Sequence, residues 1–248
     1  MASPHFLDPF IDFVFPPRCP LCGAAVAAQN GLCAPCWNEL VIPANPACAA
    51  CGRPLREALA DGARCPPCMA KAPRHDGIVA ATLYSPGARK LVLALKHGGR
   101  VALAPFMARM MAARLDGVDS DWLIVPVPLH RWRLWGRGYN QAAEIGRGLA
   151  RSTGARLAVD ALARIKRTPM LGGHGKRARE RALQGAIAVS PKHKAMLKGA
   201  NVLLVDDVLT SGATSNACVS ALKRAGAKKV LVVCFARVLD EALDVVKL

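Results

Sequence analysis

The stretch from Val202 to Thr214 constrains the fold of this chain more than any other. It begins with the run Val202-Leu203-Leu204-Val205, which predicts a strand buried on both faces of a parallel sheet. Asp206 and Asp207 follow at the predicted carboxyl end of that strand, where open α/β sheets bind ligands. A short loop comes next, and residues 215–225 have the apolar spacing of a helix. An α/β fold with a ligand site at this strand end is therefore expected.

The loop between the strand and the helix has the composition of a phosphate site. The start of a helix leaves backbone N–H groups unpaired, and the helix dipole favours an anion there. Gly212 allows close approach of the backbone, while Thr210, Ser211 and Thr214 add hydroxyl donors. The two preceding carboxylates can accept hydrogen bonds from a sugar diol or hold a cation. A phosphate beside a diol describes a ribose 5-phosphate, and neither the P-loop nor the dinucleotide fingerprint is present.

This stretch closely resembles the phosphoribosyl pyrophosphate (PRPP) signature of type I phosphoribosyltransferases. The resemblance implies that Asp206 and Asp207 bind the ribose hydroxyls. It also implies that the loop binds the 5-phosphate through Thr210, Ser211, Gly212, Ala213 and Thr214. Mg²⁺ is the expected companion of PRPP. The alternative is an ordinary buried strand that ends in two solvated acids.

Eight of the ten cysteines form four C-x-x-C pairs in the first part of the chain: Cys19/Cys22, Cys33/Cys36, Cys48/Cys51 and Cys65/Cys68. Eight thiolates make two tetrahedral sites, and two structural Zn²⁺ ions are the expected cofactors. Two iron–sulfur clusters are the alternative. We expect sequential pairing, with ribbons over 19–36 and 48–68, although nested or crossed pairings use the same ligands. The remaining two cysteines, Cys218 and Cys234, are expected to be inert core residues.

The region after residue 78 alternates between strand and helix patterns, which predicts a parallel sheet flanked by helices. The predicted strands are 78–84, 122–127, 202–205 and 230–233, and the predicted helices are 88–96, 101–115, 139–153 and 215–225. The expected domains are a double zinc-ribbon module over 1–72 and a phosphoribosyltransferase-like domain over 73–248.

The four cysteine pairs, Val125-Pro126-Val127-Pro128, the run Arg137-Gly138-Tyr139-Asn140-Gln141 and the PRPP signature together resemble the ComF family. The resemblance covers nearly the whole chain. It implies an amidophosphoribosyltransferase-like protein associated with DNA uptake in natural competence, in which a nitrogen nucleophile displaces pyrophosphate from C1 of PRPP. It further implies a pyrophosphate site formed by Lys96, Pro126, Val127, Pro128, Arg131, Arg137, Asn140 and Gln141.

Residues 164–181 are strongly basic and contain three glycines, which fits a mobile hood loop that closes over substrate. The hood residues expected at the site are Arg164, Arg167, Thr168 and Arg179. The alternative is a disordered basic surface loop. Two positions depart from the family pattern, because Met170 stands where Gln is usual and Ala182 stands where Asn is usual. Both departures favour a PRPP-binding protein without catalysis.

The net charge of +17 lies entirely after residue 80, since residues 1–80 hold equal numbers of basic and acidic side chains. Such an excess fits a polyanion partner, and single-stranded DNA is the candidate besides PRPP. Three functions follow: a phosphoribosyltransferase, a non-catalytic PRPP- or DNA-binding accessory protein, and a zinc-ribbon scaffold for DNA or other competence proteins. The neutral ribbon segment disfavours the third. No transmembrane segment or signal peptide is expected, which places the protein in the cytoplasm.

Overall fold

The protein is represented by a computed structural model that describes residues 15–29, 31–55, 62–97, 99–166, 183 and 185–239. In chain order its elements are α1 (Ala34–Asn38), α2 (Pro66–Ala70), β1 (Ile78–Leu83), α3 (Pro86–His97), α4 (Leu103–Ala112), β2 (Trp122–Pro126), α5 (Arg131–Arg137), α6 (Gln141–Thr153), β3 (Arg156–Leu157), β4 (Leu162–Arg164), β5 (Ile187–Val189), a 3₁₀ turn (Pro191–His193), α7 (Lys194–Leu197), β6 (Asn201–Leu209), α8 (Ala213–Arg224) and β7 (Lys229–Arg237).

Five strands form a parallel sheet in the order β1-β7-β6-β2-β3. Apolar side chains from opposite faces of β6 enter two separate cores. Leu203 and Val205 pack with residues of α3, α4 and α6 on one face, and Val202 and Leu204 pack with α8 on the other. Burial on both faces explains why the strand sequence is an unbroken apolar run. The α/β architecture predicted from the sequence is confirmed.

Strand β6 is longer than the sequence predicts. It continues past Val205 to Leu209, because its partner β7 is equally long and the ladder continues with Asp206 opposite Cys234 and Leu209 opposite Arg237. The expectation that both carboxylates lie beyond the strand end is therefore wrong, since they lie within it. Helix α8 likewise begins at Ala213, two residues before the predicted start.

Helix α5 occupies a segment for which the sequence predicts no helix. None of its seven residues, all of which the structure describes, is buried, so it has no apolar stripe from which a helix could be predicted. Its ends are fixed instead by local hydrogen bonds. The Trp132 N–H donates to His130 Nδ1 at 3.4 Å, and the N–H of Gly138, in left-handed conformation, donates to the Leu134 carbonyl.

The cysteine-rich module packs directly on the sheet domain. Trp37 contacts Phe106 of α4 edge to face, with ring centroids 6.5 Å apart. Val41 pairs with Leu83 at the end of β1, and the Thr82 hydroxyl also donates to the Val41 carbonyl. The boundary between residues 72 and 73 stays a prediction. Among the described residues, no helix has the length and apolar character needed to cross a bilayer.

Candidate functional site

A pocket of about 410 Å³ lies at the carboxyl edge of the sheet, where the sequence places the ligand site. The end of β6, the loop after it and the first turn of α8 form one wall. The opposite side carries cations from three separate elements: Lys96, Arg133 and Arg164. The pocket therefore joins a hydroxyl-rich loop, a carboxylate and three basic side chains.

The two adjacent carboxylates have different environments. Successive side chains of a strand point to opposite faces, so Asp206 and Asp207 diverge. Asp206 lines the pocket, and its Oδ1 accepts a hydrogen bond from the Asp207 N–H at 2.9 Å. Asp207 is buried, and its Oδ2 lies 3.1 Å from Lys96 Nζ. Asp207 thus positions a pocket cation, while Asp206 faces the space where a ligand would lie.

Burial raises the pKa of Asp206 to about 8, and the nearby negative charge of Asp207 adds to the increase. Lys96 opposes this effect because its positive charge favours the ionised carboxyl. The raised pKa means that the folded protein disfavours the ionised form of the Asp206 carboxyl. A bound cation, or the hydroxyl donors of a sugar, would restore the carboxylate.

This pKa predicts a pH-dependent contribution to stability. The folded protein keeps a proton on Asp206 that the unfolded chain releases near pH 4, so the free energy of unfolding contributed by this group decreases as pH rises from about 4 through about 8. Asp206→Asn is expected to remove this decrease. Urea unfolding of both proteins between about pH 5 and about pH 8 should show the variant gaining stability relative to wild type. A difference that does not change with pH contradicts the assignment.

The phosphate loop comprises residues 210–214 and ends at the start of α8. Gly212, the N-cap residue, has φ +73°, which is the left-handed region that favours glycine. The described residues provide no side-chain cap for this helix, so its first N–H groups are available to an anion. Among the described residues beyond its chain neighbours, the atom within 4 Å of a Cβ at Gly212 would be Asn216 Nδ2, at 3.7 Å, so backbone conformation rather than lack of space accounts for glycine here.

The three pocket cations come from distant parts of the sequence. Lys96 lies in the last turn of α3, Arg133 lies on α5, and Arg164 ends β4. Burial and the neighbouring charge of Arg133 lower the pKa of the Arg164 guanidinium, so the two guanidinium groups repel each other across the pocket. A polyanion placed between them would relieve that repulsion. Arg133 was not predicted from the sequence. Only a prediction of the helix that carries it could have indicated its place at the pocket.

The other residues predicted for the pyrophosphate site do not line the pocket. Pro126 ends β2, and Val127 donates its N–H to the Val205 carbonyl at 2.8 Å, which places 126–128 beside β6. Asn140 caps α6 and also donates to the Val127 carbonyl at 3.0 Å. The buried Gln141 has no hydrogen-bond partner for its Nε2 among the described residues. The residues outside the pocket lining are Pro126, Val127, Pro128, Arg131, Arg137, Asn140 and Gln141.

The structure describes the predicted hood, residues 164–181, only at its start, residues 164–166. Arg164 lies in the pocket wall, and Leu183, which follows the predicted hood in sequence, lines the same pocket. Three other predicted hood residues and the two departures from the family pattern lie outside the described residues: Arg167, Thr168, Arg179, Met170 and Ala182.

The eight N-terminal cysteines form two separate clusters. One contains Cys19, Cys22, Cys33 and Cys36, the other contains Cys48, Cys51, Cys65 and Cys68, and within each the Sγ atoms lie within 4.8 Å of one another. A tetrahedral zinc site with Zn–S bonds of about 2.3 Å needs Sγ atoms about 3.8 Å apart. All eight cysteines are free thiols. The donors therefore fit two closed zinc sites, and the predicted sequential pairing is confirmed.

The second cysteine cluster contacts the sheet through β7. Arg237, which is buried, donates to the Cys51 carbonyl, and its Nη2 lies 3.4 Å from Cys51 Sγ. Gly52 has φ +63°, and a Cβ there would lie 2.5 Å from the Ile78 carbonyl oxygen, so the turn needs glycine for close approach to β1. Cys218 and Cys234 are buried in α8 and β7, as predicted, and burial raises the pKa of both thiols.

A larger cleft of about 890 Å³ separates the second cluster from α8. It shares the phosphate loop with the smaller pocket, and its basic lining residues are Arg53, Lys71, Arg74, Arg224 and Arg237. No acidic side chain and no aromatic ring of Phe, Tyr or Trp occurs among its described lining residues. The smaller pocket alone combines a carboxylate with cations, so it is the better candidate for a sugar phosphate.

Two known protein families match separate parts of the chain. Residues 10–74 match a double zinc ribbon domain, and residues 149–248 match a phosphoribosyl transferase domain. The two clusters are therefore zinc-binding sites. The second match contains β6, residues 210–212 and α8, which form one wall of the pocket.

Several curated proteins are similar to nearly the whole chain. The DNA utilization protein YhgH of Salmonella typhimurium is 31% identical over 227 residues, which cover 89% of this chain and 90% of that protein. Competence protein F of Haemophilus influenzae is 29% identical over 227 residues, which cover 89% of this chain and 96% of that protein.

Solved structures give only distant similarities. The allosteric regulatory enzyme of purine biosynthesis is 22% identical, with a TM-score of 0.36 over 53% of this chain and 25% of the enzyme. The protein TT1426 from Thermus thermophilus is 16% identical, with a TM-score of 0.34 over 56% of this chain and 84% of that protein. Scores this low add nothing to the functional assignment.

The two cysteine clusters, the phosphoribosyl transferase match and the full-length similarity to these two curated proteins lead to one assignment. The chain belongs to the ComF family, the family of competence protein F and the DNA utilization protein YhgH.

Proposed function

We propose that this protein binds PRPP in the pocket at the carboxyl edge of the sheet and transfers its phosphoribosyl group to a nitrogen nucleophile. The observation that supports this function most is the composition of that one pocket. It contains an uncapped helix start after Gly212, the carboxyl of Asp206 and three cations. These groups match the phosphate, the diol and the pyrophosphate of PRPP.

In this proposal each part of PRPP has its own partners. The N–H groups and hydroxyls of residues 210–214 bind the 5-phosphate. Asp206 accepts hydrogen bonds from the ribose hydroxyls, and Asp207 holds Lys96 in position through their 3.1 Å contact. Lys96, Arg133 and Arg164 bind the pyrophosphate and stabilise the negative charge that develops as it leaves.

Mg²⁺ also fits this pocket in the proposal. Magnesium in phosphate sites is bound by one or two carboxylates together with substrate oxygens, and Asp206 is the acidic side chain that lines the pocket among the described residues. When bound, the ion would neutralise part of the pyrophosphate charge. The protein needs no nucleophile of its own, because holding donor and acceptor in line accounts for a large part of the rate.

The reaction is tested by pyrophosphate release. Zinc-loaded protein is incubated with PRPP, Mg²⁺ and a panel of nitrogenous bases, and pyrophosphate is measured for each. Release that depends on one class of base supports transfer. Binding of PRPP without release for any base supports the alternative, a non-catalytic PRPP-binding protein, and no binding rejects both.

A second function is binding of single-stranded nucleic acid during DNA uptake. Its support is the charge of +17, all of which lies after residue 80, together with similarity to proteins named for competence and DNA utilization. Contacts with other competence proteins belong to the same proposal, as does a cytoplasmic location.

A further inference from the structure

Helix α5 exposes two tryptophans to solvent. Trp135 is 84% exposed and Trp132 is 54% exposed, although tryptophan is on average a well-buried residue. Leu134 between them is also exposed, and no residue of the helix is buried. Exposed apolar side chains that cluster in this way mark interaction surfaces.

The two indoles are held on a fixed support. Both ends of α5 are fixed by the hydrogen bonds described above, in which His130 accepts at the start of the helix and Gly138 donates at its end. Tyr139, which follows the helix, donates its hydroxyl to the Leu95 carbonyl of α3. The rings lie edge to face, with centroids 6.0 Å apart and an angle of 66° between them. Because the rings are not stacked on each other, each retains a face for a planar partner.

The charge of the helix selects the kind of partner. Its sequence, Arg131-Trp132-Arg133-Leu134-Trp135-Gly136-Arg137, interleaves three arginines with the aromatic rings and contains no acid. Proteins that bind single strands without sequence preference combine cations along the backbone with aromatic rings under the bases. A membrane surface fits less well, since a seven-residue helix offers only three large apolar side chains.

The position of α5 agrees with this partner. Arg133 reaches into the candidate PRPP pocket, so the exposed rings flank a site whose groups suit phosphate and ribose. The larger basic cleft has the imidazole of His75 but no Phe, Tyr or Trp among its described lining residues, so it offers phosphate contacts and less ring surface than the two indoles of α5.

We infer that α5 is a base-stacking platform for single-stranded nucleic acid, on which Trp132 and Trp135 stack bases while Arg131 and Arg137 contact phosphates. The inference deepens the second proposed function, because it names the residues that hold the strand. It requires neither PRPP binding nor catalysis.

The test is the binding of fluorescently labelled oligothymidylate to zinc-loaded protein, followed by anisotropy at fixed salt. Trp132→Ala with Trp135→Ala is expected to weaken binding at least about tenfold, since aromatic stacking contributes strongly per base. The matched control is Met69→Ala, which removes an apolar side chain that is 67% exposed on α2. The control should bind as wild type does, and melting curves should show all proteins folded.

Two further probes separate base stacking from charge and from binding in the PRPP pocket. Inorganic polyphosphate has no bases, so its affinity should be equal for wild type and the double tryptophan variant. PRPP affinity should also be equal for both, because neither tryptophan lines the pocket. Failure of the wild type to bind PRPP would reject the first proposed function while leaving the strand assay interpretable.

Three results would overturn the inference. The first is oligothymidylate binding of wild-type strength by the double tryptophan variant. The second is loss of strand binding only in a Lys71→Gln, Arg74→Gln and Arg224→Gln variant, which would place the strand in the larger cleft. The third is tryptophan-dependent binding to vesicles of anionic lipid with none to the oligonucleotide.

Discussion

Gly212→Val is expected to lower the affinity for PRPP by about one to two orders of magnitude. A β-branched residue does not adopt φ +73° without strain, so the phosphate loop must take another conformation. Hydrogen bonds to charged groups contribute about 1.5–3 kcal/mol each, and losing even one from the 5-phosphate gives a decrease of this size. Calorimetric titration with PRPP and Mg²⁺ measures the effect.

Gly154→Val is the matched control for this variant. Gly154 caps the end of α6 with φ +76°, and no heavy atom of the described residues beyond its chain neighbours lies within 4 Å of a Cβ built there, so valine meets the same backbone strain outside the pocket. Both variants should lose about 1–3 kcal/mol of stability. Only Gly212→Val should lose PRPP affinity, and equal losses in the two variants would mean that general destabilisation explains the result.

Loss of zinc is expected to unfold the N-terminal module. The module buries few apolar side chains apart from its cysteines and relies on metal, and structural zinc contributes about 10–16 kcal/mol of apparent binding free energy in small zinc domains. The five-stranded sheet has two large cores of its own and should remain folded. Chelation of zinc should therefore unfold the N-terminal module and leave the sheet domain folded.

Elemental analysis and hydrogen exchange measure the effect of zinc. Wild type should contain close to two zinc ions per chain, and Cys48→Ser with Cys51→Ser should contain close to one. The matched control, Cys218→Ser with Cys234→Ser, alters two buried cysteines outside the clusters and should keep both ions. Full zinc content in the Cys48/Cys51 variant, or a fold that does not respond to chelation, contradicts the account.

The sequence predicts the existence of β6 but not its length. The apolar run stops at Val205, and a pattern based on hydrophobicity stops with it. The pairing of Asp206 and Leu209 with β7 depends on the length of a partner strand about thirty residues away in sequence, which local pattern does not contain. The loop and helix start were nevertheless predicted within two residues, because glycine and hydroxyl residues act through local backbone chemistry.

The cations of the site show a different limit on what the sequence can predict. Lys96 was predicted through the family resemblance and Arg164 as a residue of the hood, whereas Arg133 was missed because α5 buries none of its residues and leaves no periodic signal. The cysteine pairs could be predicted almost completely, since each short spacing fixes two ligands of one ion. The expected sequential partition into two clusters is confirmed by the structure, whereas the sequence did not exclude nested or crossed pairings, because every pairing uses the same residues.

A structure of the zinc-loaded protein in complex with PRPP and Mg²⁺ tests the central proposal most directly. We expect the 5-phosphate on the N–H groups after Gly212, the ribose hydroxyls at Asp206, and the pyrophosphate between Lys96, Arg133 and Arg164. PRPP bound elsewhere on the chain, for example in the larger cleft between the second cysteine cluster and α8, would contradict it.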